Sequence, residues 1–294
     1  MITGEKISAE QYHAGICPEP ELSTGIIKLL INQTPYHAWL GHPKLNKSLK
    51  REVSTEFDLG TAAHSMLLEG DTSNIVVLRP ENYLAKNGNV PKGYTNDAIR
   101  TARDNARVEG KIPVLEDDFM NVRYMVEQAK KFVSGSEIAN IWESGKPELT
   151  FTRKLSCGTW IKSRPDFITD DHEVIVDYKT TANGANPEQF VRQIFSLSYD
   201  VQAALYSYMN ELTFGIKPSF LFLVQSTEPP FECSLVGASE SLLAVGFEKV
   251  RYAIREWRKC LDTNAWPAYP GSIFLAEARA HDLAFAERLA QGEI

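Results

Sequence analysis

The first half of the chain carries apolar residues at helical spacing. The spacing predicts a helix that begins after Ser23, a good N-cap residue, and ends near Pro35. It also predicts further helices over 55–69, 95–107 and 116–133, and a short strand over 75–78. The pattern therefore predicts a mainly helical N-terminal portion over about residues 1–140.

The hydrophobic period changes near residue 148. Residues 148–155 and 159–168 alternate in polarity or carry aromatic and β-branched side chains, which predicts a hairpin. Residues 173–178 are almost wholly apolar before Asp177, as expected of a strand buried on both faces. The later elements are predicted as helices over 187–196, 200–213 and 239–261 and strands over 219–226 and 231–236.

This order of elements predicts an α/β fold of the mixed α+β type. Helices come first, then a three-strand meander, then helix, helix and strand, which favours a central mixed β-sheet flanked by helices. Internal repeats and low-complexity linkers are absent from the sequence, so we expect one domain over 1–294. Its core is expected over about 145–262, with a C-terminal extension over 263–294.

Composition narrows the class of protein. The 294 residues include 31 Lys plus Arg and 38 Asp plus Glu, with a net charge of −7, 43% hydrophobic and 23% charged residues. This usage excludes a disordered, collagenous or disulfide-framework protein. The acidic balance argues against a surface that coats nucleic acid non-specifically.

Targeting and cysteine patterns indicate where the chain works. The N-terminus has no apolar stretch behind a basic start, and no run of 18 apolar residues exists. We therefore expect a soluble, cytoplasmic protein without a membrane partner. Four cysteines lie far apart without a CxxC spacing, which favours reduced structural thiols over an iron–sulfur cluster or zinc site.

Three charged residues fall where charge is costly. Asp166 follows Pro165, Asp177 ends an apolar strand, and Lys179 comes two residues later. Strand alternation places Asp177 and Lys179 on one face, and a hairpin partner can bring Asp166 beside them. Converging carboxylates favour a bound Mg²⁺ or Mn²⁺, and a lysine beside them can stabilise charge on a phosphate. The alternative is a salt-bridged hairpin in which Lys179 only neutralises the two aspartates.

The spacing S-R-P-D166, ten residues, D177-Y-K179-T-T resembles the PD-(D/E)xK nuclease superfamily. Two further segments are similar to its RecB-like branch: LGTAAH64, which resembles a Gly-x-x-x-His helix, and Y199-D-V-Q202-A-A-L-Y206, which resembles a Gln-x-x-x-Tyr helix. The opening E10-Q-Y-H-A14, L22-S-T-G-I-I-K, T34-P-Y-H37 resembles the exodeoxyribonuclease VIII (RecE-type) phage and prophage nucleases, with a weaker echo in W266-P-A-Y269.

The resemblance implies a restriction-endonuclease-like core and a role for each matching residue. The implied metal ligands are His64, Asp166, Asp177 and the Tyr178 main-chain carbonyl. Lys179 is implied as the catalytic lysine.

Other residues are weaker candidates. Glu148 matches the acidic residue that opens the first core strand in many of these enzymes and assists a second metal. The alternative is a strand-edge glutamate that lies in solvent. Gln202 and Tyr206 are implied to face DNA, since residues four apart share a helix face. Arg164 is a candidate phosphate contact, or a solvated strand arginine.

The leading hypothesis is a Mg²⁺-dependent exonuclease, with Mn²⁺ as a substitute ion. It would degrade linear double-stranded DNA from an end, 5′ to 3′, for a RecT-type annealing partner, and processive relatives suggest a homo-oligomeric ring. Only the metal-assisted phosphodiester step follows from the residues; the rest is implied by the resemblance. The alternatives are an endonuclease or single-strand nuclease of the same superfamily, or a non-catalytic DNA-end or recombinase-docking protein.

Overall fold

A five-stranded mixed sheet forms the centre of this computed structural model, which describes residues 1–48, 55–85 and 87–293, without the side chains of 55–57. Its strands are β5 (Gly145–Pro147), β8 (Phe167–Thr169), β9 (Val174–Thr181), β10 (Ser219–Ser226) and β11 (Cys233–Gly237). The order across the sheet is β11-β10-β9-β8-β5. β9 and β10 are parallel, and the other neighbours are antiparallel.

Two smaller sheets complete the β-structure of the described residues. A four-stranded sheet has the order β1-β6-β7-β2, formed by β1 (Thr3–Lys6), β2 (Glu21–Leu22), β6 (Leu149–Lys154) and β7 (Trp160–Ser163). A parallel pair joins β3 (Ile75–Leu78) to β4 (Ile112–Leu115).

Helices cover both faces of the central sheet. The helices of the described residues are α1 (Ala9–Ala14), α2 (Thr24–Asn32), α3 (Pro35–Leu40), α4 (Thr55–His64), α5 (Asp97–Val108), α6 (Glu116–Ser134), α7 (Pro187–Ser196), α8 (Tyr199–Phe214), α9 (Glu240–Thr263) and α10 (Ala280–Ala290), of which α10 has no buried residue. Ile175 and Phe222 pack with α2, α7, α8 and α9 in one hydrophobic cluster. Val176 and Leu223 pack with α4 and α6 in the other. Because successive strand residues point to opposite faces, β9 contributes to both clusters.

A glycine allows α8 and α9 to pack closely. A Cβ built on Gly246 of α9 would lie 2.2 Å from the Asp200 carbonyl oxygen and 2.9 Å from the Ala204 Cβ. No side chain fits at these distances, so the two helices can hold their present separation only with glycine at this position. Gly246 therefore sets the close packing of α9 against the first turns of α8.

The predicted meander is wrong in one respect. The segment 159–168 was expected as one hairpin arm, but it forms β7 in the four-stranded sheet and β8 in the central sheet. The break falls at Pro165, which lacks the N–H that a continuing strand would donate. The chain therefore crosses between the two sheets immediately before Asp166.

The fold class is confirmed: the structure is mixed α/β, with a central mixed sheet between helices. The predicted hairpin of β6 and β7, the buried parallel strand β9 and the long helices are present, with boundaries shifted by a few residues. The one-domain organisation and its subdivisions stay predictions. All four cysteines are free. Among the described residues we find no helix with the length and hydropathy needed to span a membrane.

The C-terminal extension begins with a short packed segment. Trp266 packs against Trp257 of α9 at 5.1 Å between ring centroids, and the Pro267 carbonyl accepts a hydrogen bond from Tyr36 N. Tyr269 lies 5.9 Å from the ring of His37. The W266-P-A-Y269 motif therefore joins the C-terminal end of α9 to α3.

Candidate active site

Two aspartates meet near the middle of β9. The β8–β9 pairing joins Phe167 to Val176, so Asp166, the residue before Phe167, lies near Asp177, the residue after Val176. The backbone N of Tyr178 donates a hydrogen bond to Asp166 Oδ2 at 2.8 Å. The change of sheet at Pro165 therefore places Asp166 beside the strand that carries Asp177.

The Asp177 carboxylate is buried and has a partner at each oxygen. Nε2 of Gln202 on α8 donates to Oδ1 at 2.6 Å, and Nζ of Lys179 lies 2.5 Å from Oδ2. Asp177 and Lys179 share a strand face because they are two residues apart. The carboxylate is thus fixed by one helix and by its own strand.

A close approach of α4 to β9 positions His64. A Cβ on Gly60 would lie 3.3 Å from Thr180 Oγ1, so glycine lets this turn of α4 pack against β9. His64 is four residues later and therefore projects from the same helix face. A π-helical turn over Ser65–Glu69 follows at once and ends at Gly70, which is left-handed with φ 64°.

His64 meets two carboxylates. Its Nε2 lies 3.1 Å from Asp166 Oδ2 and 3.4 Å from Glu148 Oε1. One ligand atom from each of these three residues lies within 4.8 Å of the others, the single such group within the described residues. Two carboxylate oxygens with one imidazole nitrogen suit a divalent cation.

Arg164 links this group to the N-terminal segment. Its Nε lies 2.6 Å from Glu148 Oε2, and its guanidinium lies 4.7 Å from the centroid of the buried Tyr12 ring. Lys162 Nζ lies 4.4 Å from the same centroid. A cation over an aromatic face is attracted by the ring quadrupole, so α1 helps to hold the Arg164–Glu148 pair.

Charge in the site is unevenly balanced. Burial disfavours the charged form of His64, but Asp166 and Glu148 outweigh it and raise the pKa of His64 to about 9. Burial likewise opposes the charge of Lys179, yet Asp177 and Asp166 raise its pKa above the usual range. Both cations are therefore held in their protonated forms by the carboxylates around them.

The carboxylates differ among themselves. Burial raises the pKa of Glu148 to about 7, despite His64 and Arg164, and burial with Asp166 raises that of Asp177 to about 6, despite Lys179. For Asp166, the nearby His64 and Lys179 outweigh burial and hold the pKa below its ordinary value. The ionised forms of Glu148 and Asp177 are thus not fully compensated by the neighbouring cations. A bound metal cation would stabilise these ionised forms and lower both pKa values.

His64, Glu148, Arg164, Asp166 and Lys179 line an open cavity of about 700 Å³, whereas the buried Asp177 does not. Its charged side chains among the described residues are Glu148, Asp166, Arg164 and Lys179. Threonines, aromatic rings and two histidines make up much of the remaining wall. Among the residues that the structure describes, the carboxylates in the wall are therefore Glu148 and Asp166, and the cations beside them are Arg164, Lys179 and the protonated His64.

The two candidate DNA-facing residues lie in different places. Tyr206 lines the cavity, although its residue is only 7% exposed. Gln202 is absent from the cavity wall and is bonded to Asp177. The structure therefore places Gln202 behind a carboxylate, and its predicted role toward DNA stays a prediction.

The ligand and catalytic roles of the site residues also stay predictions. Glu148, expected in solvent under one interpretation, is buried between His64 and Arg164. Tyr178 directs its hydroxyl away from the site, where it donates to Gln225 Oε1 at 2.5 Å. The predicted Tyr178 ligand is its main-chain carbonyl, which lies on the strand between Asp177 and Lys179.

Three residues near the site were not found from the sequence. Tyr12 is described above. Tyr199 lines the cavity, and its ring centroid lies 4.9 Å from Lys179 Nζ and 4.8 Å from Lys28 Nζ. Tyr12, Lys28 and Tyr199 all lie in segments that carry the family resemblance. No sequence pattern, however, predicted that their side chains contact residues of the site.

The chain belongs to the family described as PDDEXK-like domain of unknown function (DUF3799), whose sequence model matches residues 32–278. This match confirms the predicted membership of the PD-(D/E)xK superfamily. The narrower RecE-type assignment stays a prediction. No curated protein matches the chain.

A solved structure has a similar fold over almost the whole chain. The crystal structure of the Eubacterium rectale protein named "Putative exonuclease" aligns with a TM-score of 0.60 at 15% identity, covering 95% of this chain and 98% of its own. At this identity the likeness shows the fold alone. The structure of SSO0001 aligns with a TM-score of 0.28 at 12% identity over 70% of this chain and 88% of its own, too low for any argument.

Proposed function

We propose that this protein is a Mg²⁺-dependent deoxyribonuclease that degrades linear double-stranded DNA from an end, in the 5′ to 3′ direction. The observation that carries the proposal is the convergence of Lys179, Asp166 and Glu148 in one open cavity, with the buried Asp177 carboxylate paired to Lys179. Membership of the PDDEXK-like family and the exonuclease name of the similar fold support a nuclease. Direction and end-dependence rest on the RecE-type resemblance.

The residues present fit a divalent cation. Asp166, Glu148 and His64 would hold it, with Asp177 and the Tyr178 carbonyl as further ligands implied by the resemblance. The cation would supply Lewis acidity for the phosphodiester bond and lower the pKa of a water nucleophile. Because His64 is protonated at neutral pH, it must release a proton before its nitrogen can serve as a ligand.

The protein's own side chains have separate tasks. Lys179 carries a fixed positive charge at the cavity wall, where it can stabilise negative charge that develops on a phosphate. Gln202 and Lys179 orient Asp177, and Arg164 orients Glu148. Arg164 and Tyr206 also line the cavity, where they can contact the DNA strand.

The wider role follows the same resemblance. A 5′ to 3′ nuclease leaves a single strand, which a RecT-type annealing protein would take up, and a homo-oligomeric ring would keep the enzyme on one duplex. Mn²⁺ is expected to replace Mg²⁺, because both are bound by carboxylate oxygens. We expect the protein in the cytoplasm, because the proposed substrate, cellular or phage DNA, is found there.

The direct test measures Mg²⁺-dependent digestion of linear DNA by Lys179→Met and Asp166→Asn. Each change is expected to lower the rate on the order of a thousandfold, because Lys179→Met removes a charge that stabilises the reacting phosphate and Asp166→Asn weakens the proposed metal site. Lys130→Met, at an exposed position on α6, is the control for loss of one lysine. Full activity in both site variants would refute the assigned site.

End-dependence needs its own substrates. Covalently closed circular DNA should remain intact, and a block at the 5′ end should stop digestion whereas a 3′ block should not. Cleavage of the closed circle would support an endonuclease of the same superfamily instead. DNA binding that is metal-independent and never followed by cleavage would support the non-catalytic DNA-end protein.

A further inference from the structure

A second cavity lies on the opposite side of α8 from the candidate active site. This α8–α9 cleft, of about 680 Å³, is lined among others by Arg153, Lys154, Tyr208, Leu212, Arg251 and Arg255. Among the described residues, no residue lines both this cleft and the active-site cavity. Tyr206 lines the cavity and Tyr208 the cleft, and two residues on a helix are separated by about 200° around its axis.

The cleft concentrates positive charge on an acidic protein. Its wall contains four cations and no carboxylate among the described residues, although the chain has a net charge of −7. Arg251 pairs with Glu248 at 2.8 Å and Lys154 with Glu19 at 2.8 Å, but both pairs are exposed and therefore weak. Within the described residues, Arg153 and Arg255 form no ion pair at all.

The arrangement suits a polymer of phosphates better than a single ion. Arg251 and Arg255 are one helical turn apart, so their positions differ by about 6 Å along α9. Arg153 and Lys154 present further charge from the β6–β7 hairpin on the other wall. Successive phosphates along one strand could thus each meet a guanidinium, whose planar fork matches phosphate oxygens.

The remaining wall favours nucleic acid over an acidic peptide. Tyr208 and Leu212, one turn apart on α8, place an aromatic ring and an aliphatic side chain beside the four cations. Unpaired bases stack on such rings, whereas an acidic peptide offers no planar group for them. We propose that the α8–α9 cleft binds the phosphodiester backbone of the strand that the nuclease leaves intact. This inference rests on the proposed function, since only a strand-selective nuclease produces such a strand.

The test begins with binding in EDTA, so that cleavage cannot interfere. The probe is a blunt duplex compared with the same duplex carrying a single-stranded 3′ extension of about 20 thymidines. Arg153→Gln/Arg255→Gln should weaken binding of the extended duplex about tenfold and leave the blunt duplex unaffected, with a salt slope reduced by about 1.4 for two lost contacts. The control Arg123→Gln/Lys131→Gln removes two exposed cations from α6. It should change neither the affinity for the extended duplex nor the salt slope.

A readout within the cleft comes from Cys157. It lines the cleft and is exposed, whereas Cys17 and Cys260 are buried and Cys233 is half-buried. The single-stranded extension should protect Cys157 from alkylation by iodoacetamide, and the double variant should remove that protection. An unchanged affinity of the double variant for the extended duplex, or a wild-type Cys157 that the extension leaves unprotected, would overturn the inference.

Competing occupants give different results. If inorganic phosphate alone protects Cys157 and the extension adds nothing, the cleft binds a small anion and the inference is wrong. If a poly-glutamate peptide protects Cys157 and DNA does not, the occupant is an acidic protein segment and the inference is also wrong.

Mg²⁺-dependent cleavage by the wild type separates the two proposals. Cleavage without protection of Cys157 leaves the proposed function standing and overturns only the cleft. Protection without cleavage supports a strand-binding cleft but refutes the nuclease and, with it, the assignment of the strand as a product.

Discussion

Gln202 on α8 donates a 2.6 Å hydrogen bond to the carboxylate of Asp177 on β9. The residue is 9% exposed, and Lys179 takes the other carboxylate oxygen. A residue that the motif resemblance assigns to DNA is therefore a positioning residue for a carboxylate in this structure. The two roles make different kinetic predictions.

Gln202→Leu should lower kcat and leave KM for DNA nearly unchanged. Loss of the hydrogen bond frees one oxygen of a buried carboxylate, and partners of this kind typically contribute 10–100-fold to activity. Gln189→Leu, on the exposed side of α7, is the matched control. A raised KM with unchanged kcat would instead support direct contact with DNA.

Tyr199 lies within cation–π distance of two ammonium groups. Its ring centroid is 4.8 Å from Lys28 Nζ and 4.9 Å from Lys179 Nζ. Burial and the charge of Lys179 lower the pKa of Lys28 to about 8, so the two lysines repel each other across this region. The Tyr199 ring attracts both ammonium groups and so offsets part of their mutual repulsion.

Tyr199→Phe should therefore keep most of the nuclease activity, and Tyr199→Leu should lose about tenfold, because only an aromatic ring stabilises both cations. Digestion rates at saturating Mg²⁺ provide the measurement. Lys28→Met should partly restore the Leu variant by removing the repulsion. Equal activity of the Phe and Leu variants would show that the ring acts only as packing.

The relative placement of the candidate site residues could be predicted because it depends on local rules. Asp177 and Lys179 share a face through strand alternation, and both charges lie in a strand that begins with an apolar run. Gly60 and His64 are one helical turn apart, so their common face also followed from spacing. These relations need no knowledge of distant contacts.

Other contacts depend on how distant segments pack. The Arg164–Glu148 ion pair forms because β7 and β8 belong to two different sheets. Tyr12 contacts Arg164 because α1 docks beside this pair. The short N-terminal elements gave no sequence pattern from which this docking could be predicted. Strands of two to four residues such as β2, β4 and β5 show too few side chains to establish a period. The raised pKa of Glu148 results from burial that only the tertiary structure creates.

The stability of the metal-free protein should decrease with increasing pH because of Glu148. Its pKa is raised from 4.5 to about 7, so its stabilising contribution is complete below pH 4.5 and is lost as pH rises through 7. A shift of this size corresponds to about 3 kcal/mol. Glu148→Gln cannot ionise, so in EDTA the variant should gain stability relative to wild type between pH 4.5 and 7.

Urea unfolding at several pH values measures this difference. Mg²⁺ should reverse it above pH 7, because the ion stabilises ionised Glu148 and binds the Gln variant less well. A difference between variant and wild type that does not change with pH in EDTA would contradict the shifted pKa. Unchanged stability on adding Mg²⁺ to the wild type would argue against the three-residue metal group.

Glu21 anchors the N-terminal segment to the sheet that leads into the site. Its buried carboxylate lies 2.8 Å from Lys162 Nζ on β7 and accepts a hydrogen bond from Ile16 N at 3.1 Å. Lys162 also donates to the Tyr12 carbonyl at 2.5 Å. The same β7 strand leads to Arg164, so this ion pair holds both α1 and the strand before the site.

Glu21→Leu should reduce the free energy of unfolding by about 3–5 kcal/mol, because it leaves the Lys162 charge buried without its carboxylate. Glu21→Leu/Lys162→Met removes both charges and should recover much of the loss. Glu240→Leu breaks the exposed pair with Lys217, whose atoms are 3.5 Å apart. It should lower the free energy of unfolding by less than about 1 kcal/mol, the usual range for surface ion pairs. If Glu21→Leu cost no more than Glu240→Leu, the buried pair would not anchor the N-terminal segment, and Tyr12 would have to be held against Arg164 by other contacts.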